Sequence, residues 1–455
     1  MSEVEVGFKA YMKFILKSKS ALAALAIIII IVGVAAYVST WPPSIAFTYL
    51  HKLGYWESVN PTDAAPSWMA ALDPSAYAPS LVLKPSSARL VEAFSGLYVY
   101  NLSYRFRWGY GVPPSDVSFI YSANTTIEEM LIRWAKPSGS AIEIPVTVGS
   151  TQASFDLVGV ERPIISYIYQ KTGLTFTTVT TNILAEGLFN RLEPSRIGPV
   201  ERGYYEVNVT VVTSGPARFS EAEVRVLGNA YGLLGTDYYG RPIWLGLLLG
   251  LPNALEVGVV TSVLSVLIGA FVGGFAGYMG GKVDAGLNWF SMVILALPAL
   301  PFLVVLGLML KQGLSLMLEA LLITFLSWPA YAVIARSAAQ SIRVNAFVEA
   351  DKLMGIPSYR VFFTHFLPRL VPFIVAYTVL GIPGGILMVE TLAFIGIAPP
   401  NIVTWGGILD SAYANNAALN GWWWWVLFPG LAIVVVSMPF VVVGFAIERA
   451  SFGGR

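Results

Sequence analysis

The chain has 455 residues, 56% hydrophobic and 12% charged, with a mean hydropathy of +0.66; a soluble domain carries about 25% charged residues. A net charge of +1 gives no basic footprint for nucleic acid. The absence of cysteine excludes disulfides, thiolate metal sites and cysteine nucleophiles, and His51 and His365 alone cannot build a multi-histidine metal centre.

Lys9, Lys13, Lys17 and Lys19 precede an apolar run over 21–38. No small-residue cleavage site precedes Trp41, so the run is expected to be an uncleaved first span rather than a signal peptide. From 42 to 242 the chain turns rich in Pro, Ser, Thr, Tyr and Gly. Tyr104, Phe106 and Trp108 alternate with Ser103, Arg105 and Arg107, and Ile142 to Val148 and Val207 to Val211 repeat the pattern. Period-two alternation predicts half-buried strands, so 42–242 is expected to be one mostly β domain with a few helices, one of them over 126–134. Five further apolar segments follow at about 250–279, 286–310, 316–336, 370–395 and 423–446. The fold class predicted is an all-α membrane domain of six transmembrane helices with an inserted β domain. The division is 1–41 (cytoplasmic N-terminus and first span), 42–242 (insertion) and 243–455 (five-helix core, with a cytoplasmic loop at 340–369).

Lysine and arginine set the orientation. With the N-terminus inside, Lys282, Arg336, Arg343, Lys352, Arg360, Arg369 and Arg449 all fall inside, and Lys311 is nearly alone in the short outer loops. That asymmetry follows the positive-inside rule. It predicts a multi-pass protein of the cell membrane with both termini cytoplasmic and 42–242 extracellular. The sequons at Asn101, Asn124 and Asn208 all lie in that outer domain.

The charged stretch 347–368 lies between two spans on the cytoplasmic side. It contains Glu349, Ala350, Asp351, Met354, Gly355 and Ile356, then a second helix ending in His365-Phe-Leu-Pro368. Gly355 and Pro357 break it into helix, turn and helix. No GxxxxGK[ST] phosphate loop occurs, since Gly280-Gly281-Lys282-Val283 lacks both spacing and hydroxyl, and neither HExxH nor GxSxG is present. The chain is therefore expected not to be an enzyme, and cannot hydrolyse ATP by that route.

On these residues the chain resembles the permease subunits of ABC importers in the dipeptide/oligopeptide/nickel branch, of the second permease type. Glu349, Ala350 and Gly355 match the Glu-Ala-Ala-x3-Gly loop, with Asp351 in place of the third residue. Leu234-Gly-Thr-Asp-Tyr-Tyr-Gly-Arg241 resembles the LGTDxxGRD block before the second span, with Pro242 in place of the last Asp. Ala276 to Asp284 resembles the end of that span. Glu390 to Gly396 followed by Trp405-Gly406 resembles the ExxLSFLG…WG block, and Leu427 to Ala432 matches the last span. Trp56 to Trp68, with Asn60-Pro61 and Ala64-Ala65-Pro66, looks like archaeal members with a long first outer loop.

The resemblance implies an importer in which this chain pairs with a sister permease as a heterodimer. Two ATPase subunits holding ATP-Mg dock below, and an extracellular solute-binding protein delivers peptides or, alternatively, oligosaccharides. It assigns Glu349, Ala350, Asp351, Met354, Gly355 and Ile356 to ATPase coupling, with His365 and Pro368 supporting the loop. Glu390, Gly384 and Gly385 are candidates for the pore or gate. No cofactor or metal is expected in this chain, and lipid is the remaining partner. Glu256, Glu319 and Glu390 are placed near outer helix ends, Arg336, Arg343 and Arg360 read as solvated cytoplasmic charges with lipid or ATPase contact as the alternative, and the Trp422 to Trp425 run reads as an interfacial aromatic belt. Two other classes compete: an envelope enzyme using outer-domain acids such as Asp116, Asp156 and Glu193, and a scaffold without transport.

Overall fold

The structure, a computed structural model, describes residues 18–94, 96–310, 315–344, 354 and 357–452. In chain order the elements begin with helices α1 (Lys19–Ser39), α2 (Pro43–His51), α3 (Leu53–Val59) and α4 (Met69–Leu72). Strands β1 (Leu81–Leu83), β2 (Ser87–Phe94), β3 (Leu97–Trp108), β4 (Asp116–Ala135) and β5 (Ala141–Phe155) follow. Next come α5 (Glu161–Thr172), α6 (Thr181–Phe189), β6 (Asn190–Glu193), β7 (Arg196–Val200), β8 (Gly203–Thr213) and β9 (Phe219–Leu227). The chain continues with α7 (Ile243–Met279), α8 (Gly281–Leu295), α9 (Ala299–Met309), α10 (Leu316–Arg343), α11 (Ser358–Val361), α12 (Val371–Phe394), α13 (Trp405–Ala414) and α14 (Trp423–Phe452).

Two compact units result. One is Lys52–Trp244; the other joins residues up to His51 with those from Leu245 onward. Helix α2 lies in the second of these, where Tyr49 is buried and its hydroxyl leaves no room for a side chain at Gly246.

The inserted unit is an antiparallel sheet of seven strands, in the order β1-β9-β4-β8-β3-β2, with β5 on the other edge of β4. Strand β4 is the trunk: residues 116–123 pair with β9, and 127–135 pair with β8. The sheet therefore forks, and the two branches face one another. Tyr121 donates to the Tyr104 hydroxyl at 3.0 Å across the core. Strand β3 turns Tyr104, Phe106 and Trp108 inward, and β8 turns Val207, Val209 and Val211 inward, all at 6% exposure or less, as the alternation predicts.

A helix over 126–134 does not form. That stretch is the second half of β4, hydrogen-bonded between β5 and β8. A register shift between Ser122 and Ile127 moves the inward set from Val117, Phe119 and Tyr121 to Met130, Ile132 and Trp134. The bulge hides the alternation from a single-phase reading, and pairing on both edges overrides the helix-forming Glu128-Glu129-Met130-Leu131. The helices of this unit are α3 to α6. Ile164 and Ile168 of α5, with Leu184 and Leu188 of α6, close the core around Trp134 and Phe189.

In the other unit, five helices among the described residues are long and apolar enough to cross a bilayer: Lys19–Val38, Ile243–Met279, Leu316–Arg343, Tyr359–Phe394 and Trp423–Ala450. The expected span over 286–310 is instead a broken pair, α8 and α9, bent by 69°. Pro298 caps α9 in an extended conformation, which an unbroken helix cannot contain. Six spans are reached only if this pair counts as one. Helix α7 runs 37 residues, well beyond the roughly 20 a bilayer requires.

Helix α7 meets α10 along a glycine ridge. A Cβ at Gly273 would stand 2.0 Å from the Ala332 carbonyl; at Gly269 it would meet Tyr331 and Ala332, and at Gly277 the Arg336 carbonyl. Ala332, Ala335 and Ala339 line the facing side, all nearly fully buried. Small residues at four-residue spacing let two backbones touch, which substitutes for the weak hydrophobic drive between helices in lipid.

Candidate functional site

The predicted coupling segment begins where α10 ends. Glu349, Ala350, Asp351, Gly355 and Ile356 lie outside the described residues; Met354 is described and is 68% exposed. The second half of the segment is visible. After α11, a π-helical turn (Phe362–Phe366) and a 3₁₀ turn (Leu367–Leu370) lead into α12. The backbone of His365 falls in the first turn, and Pro368, partly buried, in the second.

What holds these turns is an aromatic cluster that sequence reasoning missed. Phe362 and Phe366 are fully buried and stack on each other, with Tyr278 of α7 4.9 Å from Phe366 and 5.7 Å from Phe362. Val361, Leu370 and Ala339 complete it. The i, i+4 spacing of the two phenylalanines was the available signal.

A polar clamp sits at the same end of the bundle. Arg336 grips Asp284 with two parallel bonds of 2.5 and 2.6 Å, and Gln340 donates to the same carboxylate at 3.3 Å. Arg336 is thus an internal clasp between α8 and α10, not the solvated charge expected. Arg343 likewise lies against Gly280: a Cβ there would fall 1.9 Å from its guanidinium. Gly280 and Gly281 both have positive φ, 69° and 58°, so the turn from α7 to α8 depends on glycine.

At the other end of α12, the block matched by Glu390, Trp405 and Gly406 forms one lock. The Gly406 N–H donates to Glu390 Oε2 at 2.5 Å, and a Cβ on Gly406 would lie 2.0 Å from the Glu390 carbonyl oxygen. Trp405 Nε1 donates to the Leu247 carbonyl of α7 at 2.9 Å, and its ring fills the space above Gly250. Asn253 bonds the Val403 carbonyl, and Thr404 caps α13 through the Gly407 N–H. Gly385 packs on Gly258 of α7, whereas Gly384 has open space beside it.

Glu319, in the first turn of α10, and Glu390, in the last turns of α12, stand near helix ends as expected but are 2% and 3% exposed, out of water; Glu256 is exposed but lies well inside α7. Both Glu319 oxygens and Glu390 Oε1 have no hydrogen-bond partner among the described residues. Their neighbours Ala320, Leu316, Val389 and Leu392 share one apolar cluster. The Trp run divides: Trp424 and Trp425 are buried, and Trp423 is 36% exposed.

The Leu234 to Arg241 block closes the inserted unit on itself. Arg241 bonds Asp237 at 2.6 Å, and Asp237 Oδ1 accepts the N–H groups of Tyr239 and Arg241. Thr236 ties this turn to the other end of the insertion, accepting from Ala64 N–H and donating to the Pro61 carbonyl. Asp63, at φ 52°, lies beside it; burial and the nearby Asp237 charge push its pKa up to about 7.

Known proteins align with the parts so described. The profile of the binding-protein-dependent transport system inner membrane component matches residues 265–451. The oligopeptide transport system permease protein OppC of Haemophilus influenzae is 28% identical over 223 residues, 49% of this chain and 70% of that protein. A putative peptide transport system permease protein of Brucella suis is 32% identical over 214 residues, covering 47% and 70%. OppC of Escherichia coli K12 is 32% identical over 217 residues, covering 48% and 70%. The chain belongs to the binding-protein-dependent transport system inner membrane components: it is a membrane permease subunit of an ABC importer, in the dipeptide/oligopeptide branch.

Proposed function

We propose that this chain forms, with a sister permease, the membrane path for peptides handed over by an external solute-binding protein, driven by two ATPase subunits. The observation that carries the substrate class is the match, at about a third identity, to permeases whose names specify peptide or oligopeptide transport. Oligosaccharides and nickel have no such support here. The inserted domain would face outward and the 340–369 loop the cytoplasm.

In this reading, residues 349–356 seat on an ATPase subunit. A push on them reaches α7 through Phe362, Phe366 and Tyr278, and reaches α8 through the Arg336–Asp284 clasp. The helices joined at the glycine ridge then rock together between inward- and outward-open states. The Glu390–Gly406–Trp405 lock keeps the far end of α12 fixed to α7 and α13 during that motion. Glu349→Lys and Gly355→Pro test the reading: each should abolish uptake and weaken co-purification of the ATPase while the chain still folds. Wild-type uptake in both variants would refute it.

A further inference from the structure

The inserted domain contains a groove that no other element fills. It measures about 460 Å³ and opens between the two branches of the forked sheet, with Ala88 and Leu90 of β2 and Tyr100 of β3 on one wall and β9 on the other. The chain's own path creates it. Strand β1 pairs with β9 only at Val224 to Val226, then Pro85, which lacks an N–H, ends the pairing. By Ser86, whose N–H donates to the Ser103 carbonyl, the chain has crossed to the other branch.

The crossing leaves one edge of β9 uncovered. Even-numbered residues of β4 turn their backbone groups toward β9, since Asn124 N–H donates to the Arg218 carbonyl and the Ser122 carbonyl accepts from Ser220 Oγ. In this register Ser122 opposes Glu221 and Ile120 opposes Glu223. Ala222 and Val224 therefore point the other way. Val224 is taken by Leu83 of β1. Ala222, next along that edge, presents its N–H and C=O to the groove.

We propose that this groove is a binding site for short extended peptides, which add a strand at Ala222 in line with β1. The proposal rests on the peptide reading above and adds a holding site within this chain. An unpaired backbone edge needs a partner carrying amide N–H and C=O groups, which a peptide has and a sugar lacks. The facing wall of Leu90, Tyr100 and the buried Leu102 suits alternate apolar side chains, and Lys84 and Glu221 stand at the rim for the peptide's charged termini. A strand from a second folded copy fits poorly. The register shifts next to Ser122, so a ladder cannot run on beyond Ala222, and a bulge ends such pairing.

The test is fluorescence anisotropy of the full-length chain in lipid nanodiscs with a labelled hexapeptide of alternating valine and alanine. Saturable binding is expected, weakened about three- to tenfold when alternate peptide nitrogens are methylated, as the loss of the hydrogen bond to the Ala222 carbonyl requires. Ala88→Arg and Leu90→Arg fill the groove from exposed positions of β2 and should each cause a similar loss with β-sheet circular dichroism unchanged. No saturable binding, equal binding of the methylated peptide, equal binding by both variants, or displacement by maltotetraose would each overturn the proposal. Its failure is separable from that of the transport reading: intact ATP-driven peptide uptake with no groove binding sinks the groove alone. Groove binding without peptide uptake by the assembled importer sinks the transport reading alone.

Discussion

Glu390 and Glu319 show why a residue's type and its place in the chain are separate information. Glu390 could be found from its spacing to Trp405-Gly406, and the structure supplies the reason: its carboxylate and carbonyl both press on Gly406. Gly406→Ala should therefore destabilise the helical unit by about 1–3 kcal/mol, the cost of forcing an atom into a packed site, measured as a lower midpoint of thermal unfolding in detergent. Glu319 behaves in the opposite way. A buried carboxyl without a partner among the described residues costs stability, so Glu319→Met should stabilise the helical unit by about 1–3 kcal/mol and raise that midpoint; a lower midpoint would contradict this. Asp284→Asn, which breaks the clasp on Arg336, should cost about 1–2 kcal/mol, since the pair is partly exposed. The Asp284–Arg336 contact was not legible in sequence, because the two stand 52 positions apart and nothing local marks them as partners.

At the scale of elements, period was a sound guide where one phase held and failed where it changed. Strands β3 and β8 keep a single phase and could be read directly from Tyr104 to Trp108 and Val207 to Val211. Strand β4 changes phase at its bulge, so its second half reads as a helix in sequence although it is strand. The span over 286–310 looked continuous because hydropathy does not register the direction of a chain at Pro298. Burial within the sheet domain also sets a pH dependence. It pushes the Asp116 pKa up to about 6, against hydrogen bonds from the Val117 and Leu157 N–H groups, and Asp63 up to about 7. Folding then favours the protonated carboxyls. Their contribution is fully present below the unfolded value of 3.8 and is lost as pH rises through the folded values. The sheet should accordingly gain stability as pH falls from 7.5 to about 5, seen as rising protection of β3 and β8 amides in the full chain, each deuterium-exchange rate taken relative to that of an unstructured peptide at the same pH. Asp116→Asn should raise protection at pH 7.5 and flatten the trend; a steeper trend would contradict the assignment.

At the scale of the whole molecule, the change of composition at Pro42 announced an insertion, and the structure shows how its ends are joined. Ala78 N–H donates to Asn229 Oδ1, Ala230 N–H donates to the Ala78 carbonyl, and Gly228 has no room for a side chain against Ala78 and Pro79. The chain thus leaves for the sheet and returns at one point. Replacing 80–227 by a two-glycine link should give a chain that remains monodisperse on gel filtration, whereas aggregation would show that the helical unit needs the sheet to fold. The Glu349–Gly355–Pro368 spacing is local and can be read directly in sequence, and its coupling role is the one proposed above; the aromatic cluster and the clasp depend on α7 and α8 and cannot be read that way. The most direct test of the account is ATP-driven uptake of a radiolabelled peptide by proteoliposomes holding this chain, its sister permease, the two ATPase subunits and the binding protein. The account predicts uptake that requires ATP and is lost with Gly355→Pro. Uptake that persists in that variant, or an assembly that moves no peptide, would contradict it.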